Sequence, residues 1–183
     1  MLEIIELKQE DFSKYTQRIQ MNSSDVIQPV QEIIANVCEN KDKALHDYTL
    51  KFDKADISDF KVPVETIKQS VENISPKLRK ALEDAAENIS KFHKAQIPSD
   101  WTMTVKDGVK AGQIIRPLSR VGCYIPGGRA AYPSSILMTV IPAKIAGVEE
   151  IICCTPPDKD GCVSDEILAA AYIAGVTDIY MVG

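Results

Sequence analysis

Residues 121–147 read V-G-C-Y-I-P-G-G-R-A-A-Y-P-S-S-I-L-M-T-V-I-P-A-K-I-A-G, and this order permits few folds. Residues 121–125 are short, apolar and rich in β-formers, the pattern of a buried strand. Pro126-Gly127-Gly128 stops that strand and opens a loop. The apolar run Ile136-Leu137-Met138 then predicts a helix, with Ser134 or Ser135 as its N-cap. A strand, a glycine loop and a helix N-terminus in that order present unpaired backbone N–H groups and a helix dipole, which favour a phosphate or carboxylate. Gly127 and Gly128 can take φ > 0 and carry no Cβ, so a ligand can approach the backbone closely. The loop is neither GxGxxG nor a Walker loop, which would end Gly-Lys-Ser/Thr. A tight strand-to-helix turn without a ligand has the same pattern.

Strands and helices continue to alternate after this stretch. Strands are predicted at residues 150–154 and 178–182, with a helix over 164–174 between them. Gly147 and Gly175 stand where helix C-caps belong. Pro142 should kink or split the helix that starts near residue 134. This is a parallel βαβαβ unit of Rossmann-like type, incomplete because nothing follows its last strand, whose apolar surface is therefore expected to be exposed.

The chain before it is mainly helical. Residues 2–7 suggest a short strand and residues 11–20 a helical turn or two. Asn22, Ser23, Ser24 and Asp25 are all good caps, and Val30, Ile33, Ile34 and Val37 share one helical face. A second helix from about Lys41, striped by Leu45, Tyr48 and Phe52, would complete a helical hairpin. A short helix is predicted over 65–72. Ser75-Pro76 marks the start of a long helix, with Leu78, Ala81, Leu82, Ala85, Ile89 and Phe92 as one seam. Asp107-Gly108 between two alternating runs predicts a β-hairpin. The expected organisation is α/β: a mainly helical region over 1–110, then the hairpin's return and the partial Rossmann-like unit over 111–183.

Composition excludes several partners. The net charge is −5 with a pI near 5.1, which disfavours nucleic acid and anionic membrane. No apolar run approaches the roughly 20 residues of a membrane span, and no signal-peptide pattern opens the chain. The five cysteines, Cys38, Cys123, Cys153, Cys154 and Cys162, are an odd set that fits reduced cytoplasmic thiols and reads as small apolar fillers. Cys153 and Cys154, adjacent in a strand, should point to opposite faces. His46 and His93 lack a second ligand at metal-binding spacing and read as structural.

The string from Gly122 to Met138, then I-P-A-K-I-A-G-V, T-P-P and I-L-A-A-A-Y-I-A-G-V, closely resembles histidinol dehydrogenase. So do Ala44-Leu45, Phe52-Asp53, Asn88-Ile89 and Phe92-His93 upstream. The resemblance covers nearly the whole chain, which has less than half the usual family length and reads as an N-terminal portion. It implies two NAD-dependent oxidations that take L-histidinol through L-histidinal to L-histidine, in a cytoplasmic homodimer. It implies that Tyr124 contacts the cofactor, with Pro126, Gly127 and Gly128 as the loop beside it. Arg129 and Tyr132 could pair a phosphate or close over it, but solvated or packing roles suit them better. Zinc and the acid/base glutamate and histidine belong to the family's C-terminal half, so neither catalytic nor metal residues are assigned here. The portion alone is expected to be inactive. A non-catalytic nucleotide-binding or oligomerisation module, or another NAD(P)-linked dehydrogenase, are the alternatives.

Overall fold

Ser75 caps its helix as predicted: its Oγ accepts from the backbone N–H of Leu78 at 3.2 Å, and Pro76 opens the first turn. The computed structural model describes residues 24–127 and 131–183. The elements are α1 (Ser24–Asn40), α2 (Asp42–Phe52), α3 (Val64–Asn73), α4 (Pro76–Lys94), β1 (Trp101–Lys106), β2 (Val109–Gln113), β3 (Arg120–Tyr124), α5 (Pro133–Ile145), β4 (Glu150–Thr155), α6 (Asp165–Ala174) and β5 (Asp178–Met181). The expected strand at 2–7 and helical turns at 11–20 lie outside the described residues. Two units divide after Lys41, whose φ of 52° ends α1. In the first, α1 runs through Pro29 and exposes Val26, Ile27 and Ile34.

The second unit, Asp42–Gly183, holds the predicted parallel sheet. Its order is β3-β4-β5, with Cys123 opposite Cys153 and Cys153 opposite Ile179. Alternation turns Val121, Cys123, Ile151, Cys153 and Ile179 to one face, where α5 and α6 supply Ile136, Leu137, Val140, Leu168 and three consecutive buried alanines. The small residues Ala169, Ala170 and Ala171 let α6 lie close to its neighbours. Helices α3 and α4 pack on α6 and α5 from outside. Residues Gly122, Tyr124, Ile152, Cys154, Asp178 and Tyr180 face the other way.

Several details differ from expectation. Neither Ser134 nor Ser135 caps α5. Pro133 starts the helix two or three residues earlier, Tyr132 takes the N-cap position without a side-chain bond, and both serines fall inside the first turn. Pro142 does not end α5 either, because the helix continues to Ile145. Proline removes the N–H that would bond the Met138 carbonyl, and Met138 is 64% exposed, so water can reach that end of the helix face. On α4 the seam holds at Leu78, Leu82, Ala85 and Ile89 but not at Ala81, which is exposed, or Phe92, which is 63% exposed. The last strand is not bare. Val62 N–H donates to Ile179 O at 2.9 Å and Met181 N–H to Phe60 O at 2.7 Å. A Lys61–Asp178 ion pair at 2.7 Å closes that edge, and Ile179 is fully buried.

Exposed apolar surface lies instead on the β1–β2 hairpin. Its turn Gly108 has φ 77°, and Trp101, Met103 and Val105, on one face by alternation, are each at least half exposed. Gly147 (φ 91°) and Gly175 (φ 86°) take the left-handed conformation that helix ends require.

His46 on α2 sits between two carboxylates, 2.9 Å from Asp56 and 3.6 Å from Asp47. The bond to Asp56, then that to Asp47, raises its pKa. A pKa raised on folding stabilises fully below the unfolded value of about 6.5 and is lost as pH rises through the folded value. The melting temperature should therefore fall between pH 6 and pH 8 more steeply in the wild type than in His46→Gln. Parallel profiles would show that the pair contributes nothing.

Candidate functional site

Strands β3, β4 and β5 end together, and a cleft of about 600 Å³ opens at their carboxyl ends. That edge is where open parallel sheets bind ligands. Ile125, fully buried, anchors the end of β3 by donating its N–H to Cys154 O at 2.8 Å. Pro126 and Gly127 then run exposed along the mouth, and Gly127 lines the cleft. Buried Thr155 ends β4 within it, followed by Pro156 and Pro157. Val163, Ser164 and Ile167 enter from the start of α6, and Phe52 and Asp53 from the end of α2.

Gly127 is glycine for want of room. Its backbone is not in the left-handed region, but a Cβ there would stand 2.7 Å from Pro156 Cγ. Gly127 does not use the left-handed freedom open to glycine, and what approaches it closely is the protein's own β4 loop. Gly128 and Arg129 lie outside the described residues.

Tyr124 lies on the opposite sheet face from Ile125, beside Cys154, with its side chain 58% exposed. It does not line the cleft, whereas Gly127, three residues on, does. Tyr132 is 42% exposed at the start of α5.

The loop after Pro157 folds on one carboxylate. Asp158 Oδ1 accepts from the N–H groups of Asp160 and Cys162, both at 2.9 Å, so this acid is committed to the turn. Asp53 differs: among the described residues its carboxylate has no hydrogen-bond or ion-pair partner. Burial pushes its pKa up. No group of three or more His, Cys, Asp or Glu side chains among the described residues is placed to hold a metal ion. His46 is held by Asp56 and His93 rests edge-on against Phe92, 5.3 Å between centroids.

The cysteines divide by burial. Cys153 and Cys154 point to opposite faces as alternation demands, with Cys153 buried and its pKa pushed up to about 12 by desolvation. Cys38 and Cys162 are exposed, so the reading of all five as apolar fillers is wrong for these two; Cys162 lines the cleft. A maleimide at neutral pH should label Cys38 and Cys162 within minutes and Cys153 only after denaturation. Mass spectrometry of labelled peptides checks this, and early labelling of Cys153 would contradict the buried assignment.

Sequence reasoning did not single out Asp53, Cys162 or the T-P-P loop as parts of a site. The signal available was Thr155-Pro156-Pro157 itself, a chain-breaking loop directly after a predicted strand.

The sequence model of the family described as histidinol dehydrogenase matches residues 16–183. The chain belongs to the histidinol dehydrogenase family. A histidinol dehydrogenase of Methanothermobacter thermautotrophicus is 48% identical over 183 residues, covering 100% of this chain and 43% of that relative. One of Oceanobacillus iheyensis is 44% identical over 182 residues, again 100% of this chain and 43% of the relative. The crystal structure of histidinol dehydrogenase from Elizabethkingia anophelis superposes with a TM-score of 0.89 at 36% identity, covering 97% of this chain and 41% of that one. The chain thus spans well under half the length of the family members it matches, and aligns with their N-terminal part. Among the described residues no helix is long and apolar enough to cross a membrane.

Proposed function

We propose that this chain is the N-terminal, cofactor-facing part of a zinc- and NAD-dependent histidinol dehydrogenase, acting on L-histidinol as a cytoplasmic homodimer. The observation that carries the reading is a cleft at the carboxyl ends of a parallel sheet in a member of this family, with an exposed tyrosine three residues before a lining glycine. NAD bound there would supply a hydride acceptor, one NAD molecule for the alcohol and a second for the hydrated aldehyde. The chain's own residues bind and orient it: Tyr124 offers an exposed ring and hydroxyl, and Pro126, Gly127 and Gly128 form the loop it crosses. Metal donors and the acid/base pair come from family sequence outside these 183 residues, so the chain alone should produce no NADH from L-histidinol.

Calorimetric titration of NAD against the wild type and Tyr124→Ala tests the cofactor reading. Loss of a stacking aromatic should weaken binding by roughly ten- to a hundredfold. NAD should also slow maleimide labelling of Cys162 and leave Cys38 unchanged. Equal titration curves would remove Tyr124 from the site, and no binding by either protein would leave only a structural role for the cleft.

A further inference from the structure

One rung of the parallel sheet carries two thiols side by side. The register places Cys123 opposite Cys153 and Cys153 opposite Ile179, all on the core face. The rung before it is aliphatic, Val121 beside Ile151. Paired strands lie about 4.8 Å apart, inside the Cα separation of about 4.4–6.8 Å that disulfides use. Residues in register point to the same side of a sheet, so both Cβ atoms lean toward one face. The Cys123 thiol is within hydrogen-bond reach of the Cys153 thiol, and both are free. No other cysteine shares this rung, and Cys154 faces the opposite side.

The two thiols differ in access. β3 is the outer strand of the described sheet, and Cys123 is half-buried on it. Cys153 lies on the central strand and is 1% exposed. Burial, and then the neighbouring Cys123, push its pKa up to about 12. An oxidant from solvent therefore reaches Cys123 first, and Cys153 meets only what Cys123 has become. Both strands run on to the mouth of the cleft. Tyr124 and Cys154 form the next rung, and Ile125 N–H then donates to Cys154 O. A bond at the thiol rung would fasten the strands just before Gly127 approaches Pro156.

We propose that Cys123 and Cys153 are an oxidation-sensitive pair, which hydrogen peroxide closes into a reversible disulfide that fastens β3 to β4 below the cleft. Cys123 loses its proton to solvent, and its sulfur attacks one peroxide oxygen. The O–O bond breaks, the departing hydroxide takes a proton from solvent to become water, and Cys123 is left as a sulfenic acid. The Cys153 sulfur then attacks the Cys123 sulfur. The S–S bond forms, the S–O bond breaks, and the hydroxyl leaves as water with the Cys153 proton. Two thiols have lost two electrons, and one peroxide has become two waters. A dithiol reductant reverses the closure by attacking the more accessible Cys123 sulfur. In reducing surroundings the pair stays open, so the bond forms only under oxidative load.

The test is peptide mapping of the 183-residue chain carrying Cys38→Ser and Cys162→Ser, which removes the exposed thiols that could join two molecules. The reduced protein is exposed to hydrogen peroxide well below its melting transition, blocked with maleimide and digested without reductant. The Cys123 and Cys153 peptides should be recovered joined and lighter by two hydrogen atoms, and dithiothreitol should release them. The oxidised protein should melt at least about 5 °C higher than the reduced one, because the bond closes a loop in the unfolded chain. With Cys153→Ala added, dimedone should trap Cys123 as the sulfenic acid; with Cys123→Ala added, Cys153 should stay reduced. The cross-link itself is read without either further variant, in protein whose circular dichroism matches that of the untreated chain. Recovery of both residues as free thiols from the oxidised, folded protein overturns the pair, as does a cross-link that forms only after denaturation. An oxidised protein that is cross-linked but melts no higher overturns the fastening of β3 to β4.

Discussion

Ile125→Ala should lower stability by about 3 kcal/mol and the melting temperature by roughly 10 °C. Ile125 is fully buried at the point where β3 leaves the sheet, among residues of the single core that β3, β4, β5, α5 and α6 share. Removing three carbons there loses transfer free energy and leaves a cavity that the packed alanines of α6 cannot collapse to fill. The effect should reach the site as well. Ile125 separates Tyr124 from Pro126-Gly127 and ties them to β4 through its bond to Cys154 O. Loosening it should weaken NAD binding even below the melting transition. Thermal circular dichroism and titration at 15 °C measure the two effects; a change under about 1 kcal/mol would mean that the strand end is not held by this side chain.

The second large effect is expected at Gly127. In Gly127→Val the Cβ alone would fall 2.7 Å from Pro156 Cγ. A proline ring cannot rotate away, so the β3 and β4 loops must part and the cleft must change shape. Overpacking of this kind costs about 1–3 kcal/mol, but binding should suffer more than stability, because the displaced backbone is the mouth of the cleft. NAD affinity is expected to drop below detection. Gly122→Ala is the matched control, since nothing lies within 4 Å of the Cβ it adds and its φ is unexceptional. If Gly127→Val binds NAD as the wild type does, the mouth does not touch the cofactor.

Much of this fold was legible because its signals are local. Ser75-Pro76, Asp107-Gly108 and Gly175 each dictate backbone geometry within four residues, and each is found as read. Alternating strands and helices led to the parallel sheet for the same reason. The departures involve partners distant in sequence. Lys61 and Phe60 cover β5 from more than a hundred residues away, and no periodicity around Ile179 reveals that. Phe92 continues the apolar spacing of α4 yet is 63% exposed. Pro133 overrode Ser134 and Ser135 because its fixed φ suits the first helical position. The site divided along the same line. Tyr124 and Gly127 were visible because they border a strand end, and the resemblance placed them at a cofactor. Asp53 was hidden, since only the tertiary fold brings the end of α2 to the end of β4.

The β1–β2 hairpin has a practical bearing on spectroscopy. Trp101 is the single tryptophan of the chain and is half exposed on a hairpin whose residues are all solvent-accessible. Its emission should therefore be red-shifted already in the native state and change little when the sheet and helices melt. Indole fluorescence will follow whatever covers that ribbon and stay nearly silent to the unfolding of the core.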